Sequence, residues 1–264
     1  RARSQADLIA RSGVDVAREW LHSETAAADK AIGDWSISLP PLAAESGYLS
    51  GELRDQQGLL NLNNIVSNGA ETPDFIVLKR LFELLKIDER PLAALRDWLD
   101  SDEDVSPGGA ESQTYLALEP AYRSANQALT SIENLYRVAG FDDKIIATIR
   151  PYVTVLPAAS KLNLNTAPAE ILAARFAMPL GEAEVLALSR QQNRFANLDD
   201  FINRVPLAYR NNITNKDNLT FVSEYFLTVS RAELANANVA YRALLRRTQG
   251  QLPSVAWLRL ERTL

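Results

Sequence analysis

The sequence predicts an α+β fold: a small antiparallel sheet with an amphipathic helix, and a large all-α block inserted between the sheet strands. Three observations lead there. Apolar residues recur at helical spacing in 2–28, alternate like strands in 35–63 and again after 219, and return to helical spacing in between. The chain has 264 residues, 47% of them apolar, which is enough for one elaborated domain or two. A helical middle between a β beginning and a β ending has the pattern of an insertion, so 1–63 and 219–264 are assigned to one domain and 64–218 to another.

The elements follow in order. Leu8, Ile9, Val16, Trp20 and Leu21 suit one face of a helix over 2–28. A break at Gly33 precedes Trp35, Ile37 and Leu39, which alternate up to Pro40-Pro41 and predict a strand. Two short alternating runs in 47–63 flank Gln57-Gly58 and predict a hairpin turning there. Helical spacing then resumes after Pro73 (Phe75, Leu78, Leu81, Phe82, Leu84, Leu85) and after Pro91 (Leu92, Leu95, Trp98, Leu99), with proline suited to a first helical turn. Further helical stretches lie at 131–139, 142–150, 168–177, 181–190 and 198–204. Three strands close the chain: Phe221 to Val229, Val239 to Leu245, and Val255 to Leu260.

Composition removes whole classes of chemistry. Without cysteine there is no disulfide framework, no thiolate metal site and no thiol nucleophile. One histidine, His22, cannot supply a two-histidine metal site, and it is read as a surface helix residue near Glu24. The net charge of −5 argues against a phosphate backbone as the main partner, although 219–264 is net basic, with six basic residues to three acidic. No run approaches the roughly 18 apolar residues of a membrane span. The GxGxxG, GxxxxGK[ST], GxSxG and HExxH signatures are absent, and no catalytic residue is assigned.

Two features of the middle carry chemistry. Residues 97–111 hold six carboxylates and no basic side chain, a self-repelling cluster unless a cation neutralises it. Counted from Asp100, oxygen donors fall at positions 1, 3, 5 and 12 (Asp100, Asp102, Asp104, Glu111), the spacing of an EF-hand calcium loop. Position 6 is Val105 where that loop has glycine, and Pro107-Gly108-Gly109 turns the chain instead. Hard oxygen ligands favour Ca²⁺. The alternatives are a solvated acidic helix end or, for Glu103 with Glu111, a glycosidase-like carboxylate pair; the crowded loop suits metal ligands better. The second feature, 162–205, resembles the helix-hairpin-helix modules of competence-type DNA-binding proteins, with a hairpin centred on Pro179-Leu180-Gly181. The five basic and five acidic residues of 158–205 provide no positive field, so a packing module is preferred and no nucleic-acid partner is expected.

Six motifs occur in order: Asp-Gln-Gln-Gly-Leu-Leu-Asn-Leu-Asn (55–63), Asp-Trp-Leu-Asp-Ser-Asp (97–102), Gly-Ala-Glu (109–111) with Tyr115, Tyr-Arg-Ser-Ala-Asn (122–126), Val-Ala-Gly (138–140) and Leu-Asn-Leu-Asn-Thr-Ala-Pro (162–168). Together they resemble the K-type minor pseudopilins of the bacterial type II secretion system, over nearly the whole chain. The resemblance implies a pilin-like helix and sheet carrying a helical insertion, and one or two Ca²⁺ ions in the helical domain at the matching positions Asp97, Asp100, Asp102, Asp104 and Glu111. It implies a non-enzymatic subunit that caps the pseudopilus tip with I-type and J-type minor pseudopilins, and encounters with the H-type subunit and secreted substrates. It further implies a periplasmic location, with an inner-membrane helix preceding the residues seen here. Leu8, Arg11 and Arg18 are the expected partner-facing positions on the first helix.

Overall fold

The structure, a computed structural model, describes residues 2–23, 36–44, 47–235 and 237–261. In chain order they form α1 (Ala2–Ser23), β1 (Ser36–Ala44), β2 (Gly47–Asp55), β3 (Leu60–Asn61), β4 (Val66–Ser67) and β5 (Ala70–Glu71). Then come α2 (Pro73–Leu84), α3 (Pro91–Leu99), α4 (Ser112–Leu116), α5 (Asp143–Ile149), β6 (Val153–Thr154), β7 (Leu162–Asn163), α6 (Ala169–Phe176), α7 (Leu180–Gln192) and α8 (Leu198–Arg204). The last strands are β8 (Leu219–Thr220), β9 (Tyr225–Leu234), β10 (Ala237–Arg246) and β11 (Ser254–Glu261). Two units result, 1–57 with 222–264, and 58–221.

In the first unit, α1 packs on a sheet ordered β1-β2-β9-β10-β11, antiparallel throughout. The helix buries Ala6, Ala10, Gly13, Val14, Ala17 and Leu21, spaced three and four apart, against Leu53, Phe226, Ala232, Tyr241, Ala243 and Leu245. This is not the face expected from the large apolar residues. Only Leu21 of that set is buried. Ile9 and Trp20 lie at the margin, while Val16 is exposed and Leu8 is 68% exposed. The reason is approach distance: small side chains let the helix backbone sit low on the sheet. At Gly13 a Cβ would lie 2.1 Å from Ser230 Oγ and 2.9 Å from Leu49 Cδ1.

The hairpin expected at Gln57-Gly58 is absent. β2 pairs with β1 on one side and β9 on the other, so Gln57 marks the exit from the sheet. β1 continues through Pro40-Pro41 to Ala44, with a register shift between Leu39 and Leu42. Gly33, Trp35 and Glu24 lie outside the described residues, as does the end of the first helix beyond Ser23.

The second unit has one hydrophobic core, drawing Leu78, Leu81, Phe82, Leu95, Leu135, Ile146, Leu172, Phe176 and Phe201 from its helices and turns. Thr72 caps α2 by accepting from Asp74 N, and Asn197 caps α8 by accepting from Asp200 N. The stretch expected as a helix at 131–139 is a 3-10 helix over Ile132–Arg137, and α4 was not expected. Short parallel pairs, β3 with β6 and β7 with β8, bind the start and end of the insertion into this unit. The boundaries expected at 63/64 and 218/219 therefore move outward to 57/58 and 221/222.

Asparagine amides reinforce those pairs. Asn63 Nδ2 donates to the carbonyls of Leu129 and Leu156 while its Oδ1 accepts from Leu129 N. Asn165 does the same with Phe195 and Phe221 carbonyls and Phe195 N. The repeated Leu-Asn-Leu-Asn pattern is thus a main-chain staple used twice.

The seating of α1 makes a test. Alanine gains about 1 kcal/mol of helix propensity over glycine, yet at Gly13 the overlap with Ser230 and Leu49 should outweigh it. G13A is expected to melt below the parent protein; a higher Tm would show that the helix lifts off the sheet without cost.

Candidate metal centre

The acidic site lies within the second unit and is framed by aromatic rings. Leu92, Leu95 and Trp98 turn α3 toward the core. Trp98 meets Tyr115 of α4 edge-on at 5.2 Å, and Tyr115 stacks on Tyr122 at 5.2 Å. The fully buried Tyr115 accepts a hydrogen bond from Ala139 N through its hydroxyl. This frame fixes three backbone segments that contribute polar groups: the end of α3, the start of α4 and the 122–126 stretch.

Asp97 and Asp100 reach the site from the C-terminal end of α3, where the helix dipole gives a carboxylate no help. Both are buried, as is Glu111, which precedes α4 and makes no side-chain cap to it. Asp97 Oδ2 accepts from Ser106 N at 3.1 Å, but its Oδ1, Asp100 Oδ1 and both carboxylate oxygens of Glu111 are buried with no hydrogen bond. Buried polar oxygens are normally satisfied, so four such oxygens in one region set this site apart. The chain also makes room for them. A Cβ on Gly109 would lie 1.9 Å from Asp97 Oδ2, so that carboxylate occupies space only glycine leaves free.

Electrostatics agree. Burial, reinforced by Asp102 and Asp97, raises the Asp100 carboxyl, with Arg96 opposing. Burial and the charges of Asp97, Asp100 and Glu103 push Glu111 up to about 7. The Ser124 hydroxyl eases that rise through its proximity, without meeting hydrogen-bond geometry. Arg96 is held by Ser106 Oγ at 2.7 Å and by Glu71 at 3.8 Å.

Of the five acids expected as ligands, the structure gathers Asp97, Asp100 and Glu111 in the buried part. Asp102 and Asp104 are exposed, and Asp102 Oδ1 accepts from Asp104 N at 2.9 Å in a local turn. Glu103 is exposed and accepts from Ser112 Oγ at 3.0 Å. Sequence spacing missed Asn126. Its Nδ2 donates to the Asp102 carbonyl and its Oδ1 is buried without a partner. It sits at the end of the Tyr-Arg-Ser-Ala-Asn motif, the one signal that could have drawn attention to it. Among the described residues no group of three or more Asp, Glu, His or Cys side chains is drawn onto a single metal-holding point. Unpartnered carboxylate and amide oxygens of this kind are nonetheless the donor set a hard divalent cation takes, with Glu111 free to offer both oxygens.

The other sequence candidates are placed differently from expectation. The α6–α7 turn is Ala177-Met178-Pro179, with Ala177 left-handed, and Gly181 lies inside α7. Basic residues there are committed internally: Arg175 to Asp74, Arg190 to the Leu164 carbonyl, and Arg204 to Asp200. On α1, Arg11 bonds Tyr241 Oη at 3.0 Å and pairs with Asp7, while Arg18 donates to the Pro253 carbonyl at 2.7 Å and to Asp15. Both arginines tie the helix to the β10–β11 hairpin; Leu8 and Arg11 are exposed and Arg18 is half-buried. His22 is exposed.

Comparison with known proteins adds the following. Two family models, both described as type II secretion system protein K, match residues 58–158 and 162–221, together more than half of the chain. The type II secretion system protein K of Pseudomonas aeruginosa is 30% identical over 223 residues, 81% of this chain and 65% of that protein. The chain thus spans about two thirds of that relative's length. The Pectobacterium carotovorum protein K is 29% identical over 80% of this chain and 70% of its own. A solved structure, the GspK-GspI-GspJ complex of enterotoxigenic Escherichia coli, contains a chain with the same fold, at TM-score 0.83 and 23% identity, covering 98% of this chain and 97% of that one.

The acidic site makes its own prediction. Glu111 ordinarily titrates near 4.5 and here near 7, so in chelator the stability it contributes is complete below about 4.5 and is lost as pH rises through about 7. Tm in chelator should fall across that interval, and Glu111→Gln should flatten the fall. An equally steep fall in the variant would place the titration elsewhere.

Proposed function

Because the chain belongs to the type II secretion system protein K family, we propose that it is a minor pseudopilin: a non-enzymatic subunit that caps the tip of a periplasmic pseudopilus and supports protein export. Its partners in this reading are the I-type and J-type minor pseudopilins, as in the GspK-GspI-GspJ complex of the similar E. coli chain. An N-terminal segment anchors it in the inner membrane. Among the described residues no helix is long and apolar enough to cross a membrane.

The observation that carries the reading is the insertion. α1 and its sheet form a complete small unit, and between β2 and β9 the chain adds a second unit with the larger share of its residues. A subunit repeated along a filament packs on neighbours all round. One carrying so large an addition is tolerated where neighbours are missing on one side, at an end. The helical unit acts by shape, and its acids serve structure.

In this reading Asp97, Asp100 and Glu111 hold Ca²⁺, helped by the Asn126 side-chain oxygen. The ion supplies positive charge where the chain has assembled uncompensated carboxylates. Trp98, Tyr115 and Tyr122 keep the two helix ends in place around it, and Ser106 N holds Asp97 in its rotamer. Asp102 and Asp104, on the exposed turn, shape the loop.

Two measurements test this. Calcium at a hundredfold excess over its Kd should stabilise the protein by about 2.7 kcal/mol. Asp100→Asn should abolish that gain while raising Tm in chelator, since it removes a buried, repelled carboxylate. A Tm indifferent to millimolar calcium refutes the site. Separately, the protein should co-purify with the I-type and J-type subunits, and Leu8→Asp should weaken that association about tenfold; failure of the native chain to co-purify refutes the assembly.

A further inference from the structure

The two edges of the sheet are built differently. Both edge strands carry a register shift against their neighbours, but β1 also carries Pro40-Pro41, and proline offers no N–H to an added strand. β11 runs eight residues without proline, and among the described residues it pairs only with β10. Its outer row of main-chain groups has no strand partner among the described residues.

The two faces of β11 differ as sharply. Leu258 stands opposite Ala243 and Leu260 opposite Tyr241, both in the core under α1, which puts these leucines on the helix side of the sheet. The helix packs over β9 and β10, leaving Leu258 42% and Leu260 51% exposed. Val255, opposite Leu245, continues the row and is exposed. On the reverse face Arg259 stands opposite Arg242, and Arg259 lies over the Trp257 ring at 4.6 Å. Arg246, on the same face, is already paired with Glu224 at 3.7 Å, and the one acid of the β10–β11 hairpin, Glu261, pairs with Arg231 of β9 at 3.5 Å. Like charges in register repel, and Arg242 has no ion pair among the described residues.

We propose that β11 is a strand-addition site for a partner protein, which contributes an extended segment with apolar side chains on one face and acidic side chains on the other. The main chain of that segment continues the sheet, its apolar row covers Val255, Leu258 and Leu260, and its carboxylates meet Arg242 and Arg259. Charge selects against a second copy of this chain, which would bring the same arginines to a face already basic.

The test uses the full chain and two synthetic peptides, one alternating valine and glutamate, the other valine and lysine. Hydrogen–deuterium exchange of the amides in 254–261 should slow with the glutamate peptide and stay unchanged with the lysine peptide. Arg259→Glu and Leu258→Lys, both at exposed positions and checked for unchanged Tm, should each weaken the glutamate peptide's effect about fivefold. The proposal is overturned by equal protection from both peptides, by protection confined to other segments, by no protection at all, or by self-association of the chain through β11.

Discussion

The whole architecture depends on β2 ending beside the start of β9. Asp55 faces Phe226 in the last rung of that antiparallel pair, Gln56 N donates to the Tyr225 carbonyl at 3.0 Å, and Gln57 Oε1 accepts from the main-chain N–H groups of Glu224 and Tyr225. The chain leaves the sheet and returns to it at one place, so an insertion of any length costs the small unit little. Closure entropy grows only slowly with loop length, and here the loop is itself a folded unit. That unit closes its own ends in turn, through the parallel pairs β3–β6 and β7–β8 and the asparagine amides that brace them.

Against this economy stands the acidic site, where the fold holds Asp97, Asp100 and Glu111 out of water with oxygens unmatched. Burying a carboxylate without a partner is expensive. The aromatic frame and the close approach of Gly109 hold the carboxylates in that position, and the cation proposed above would offset the cost. A ligand that neutralises them acts on two helix ends and the 100–111 loop at once, and so contributes to the order of the unit.

Much of the plan was legible in the residues. The β–helical–β order came from the change of hydrophobic period, and Pro73 and Pro91 marked two helix starts correctly. What escaped has physical causes. Alternation around Gln57-Gly58 cannot distinguish a hairpin from two strands that pair elsewhere. Bulk marks the wrong face of α1, because Ala6, Ala10, Gly13 and Ala17 make the contact by their smallness. In the acidic loop, spacing located the region but could not separate buried Asp97, Asp100 and Glu111 from exposed Asp102 and Asp104. Asn126 joins them through the tertiary fold, which no local spacing reports.

The low seating of α1 has a mechanical side. A helix held by a row of small residues would slide readily along its groove if nothing stopped it. Here Gly13 straddles Ser230 and Leu49, Asp7 accepts from Tyr241 Oη near one end, and Arg18 holds the Pro253 carbonyl near the other. A pull along the helix axis is therefore carried in shear by three ties spread over the helix length, with the sheet strands beneath sharing the load.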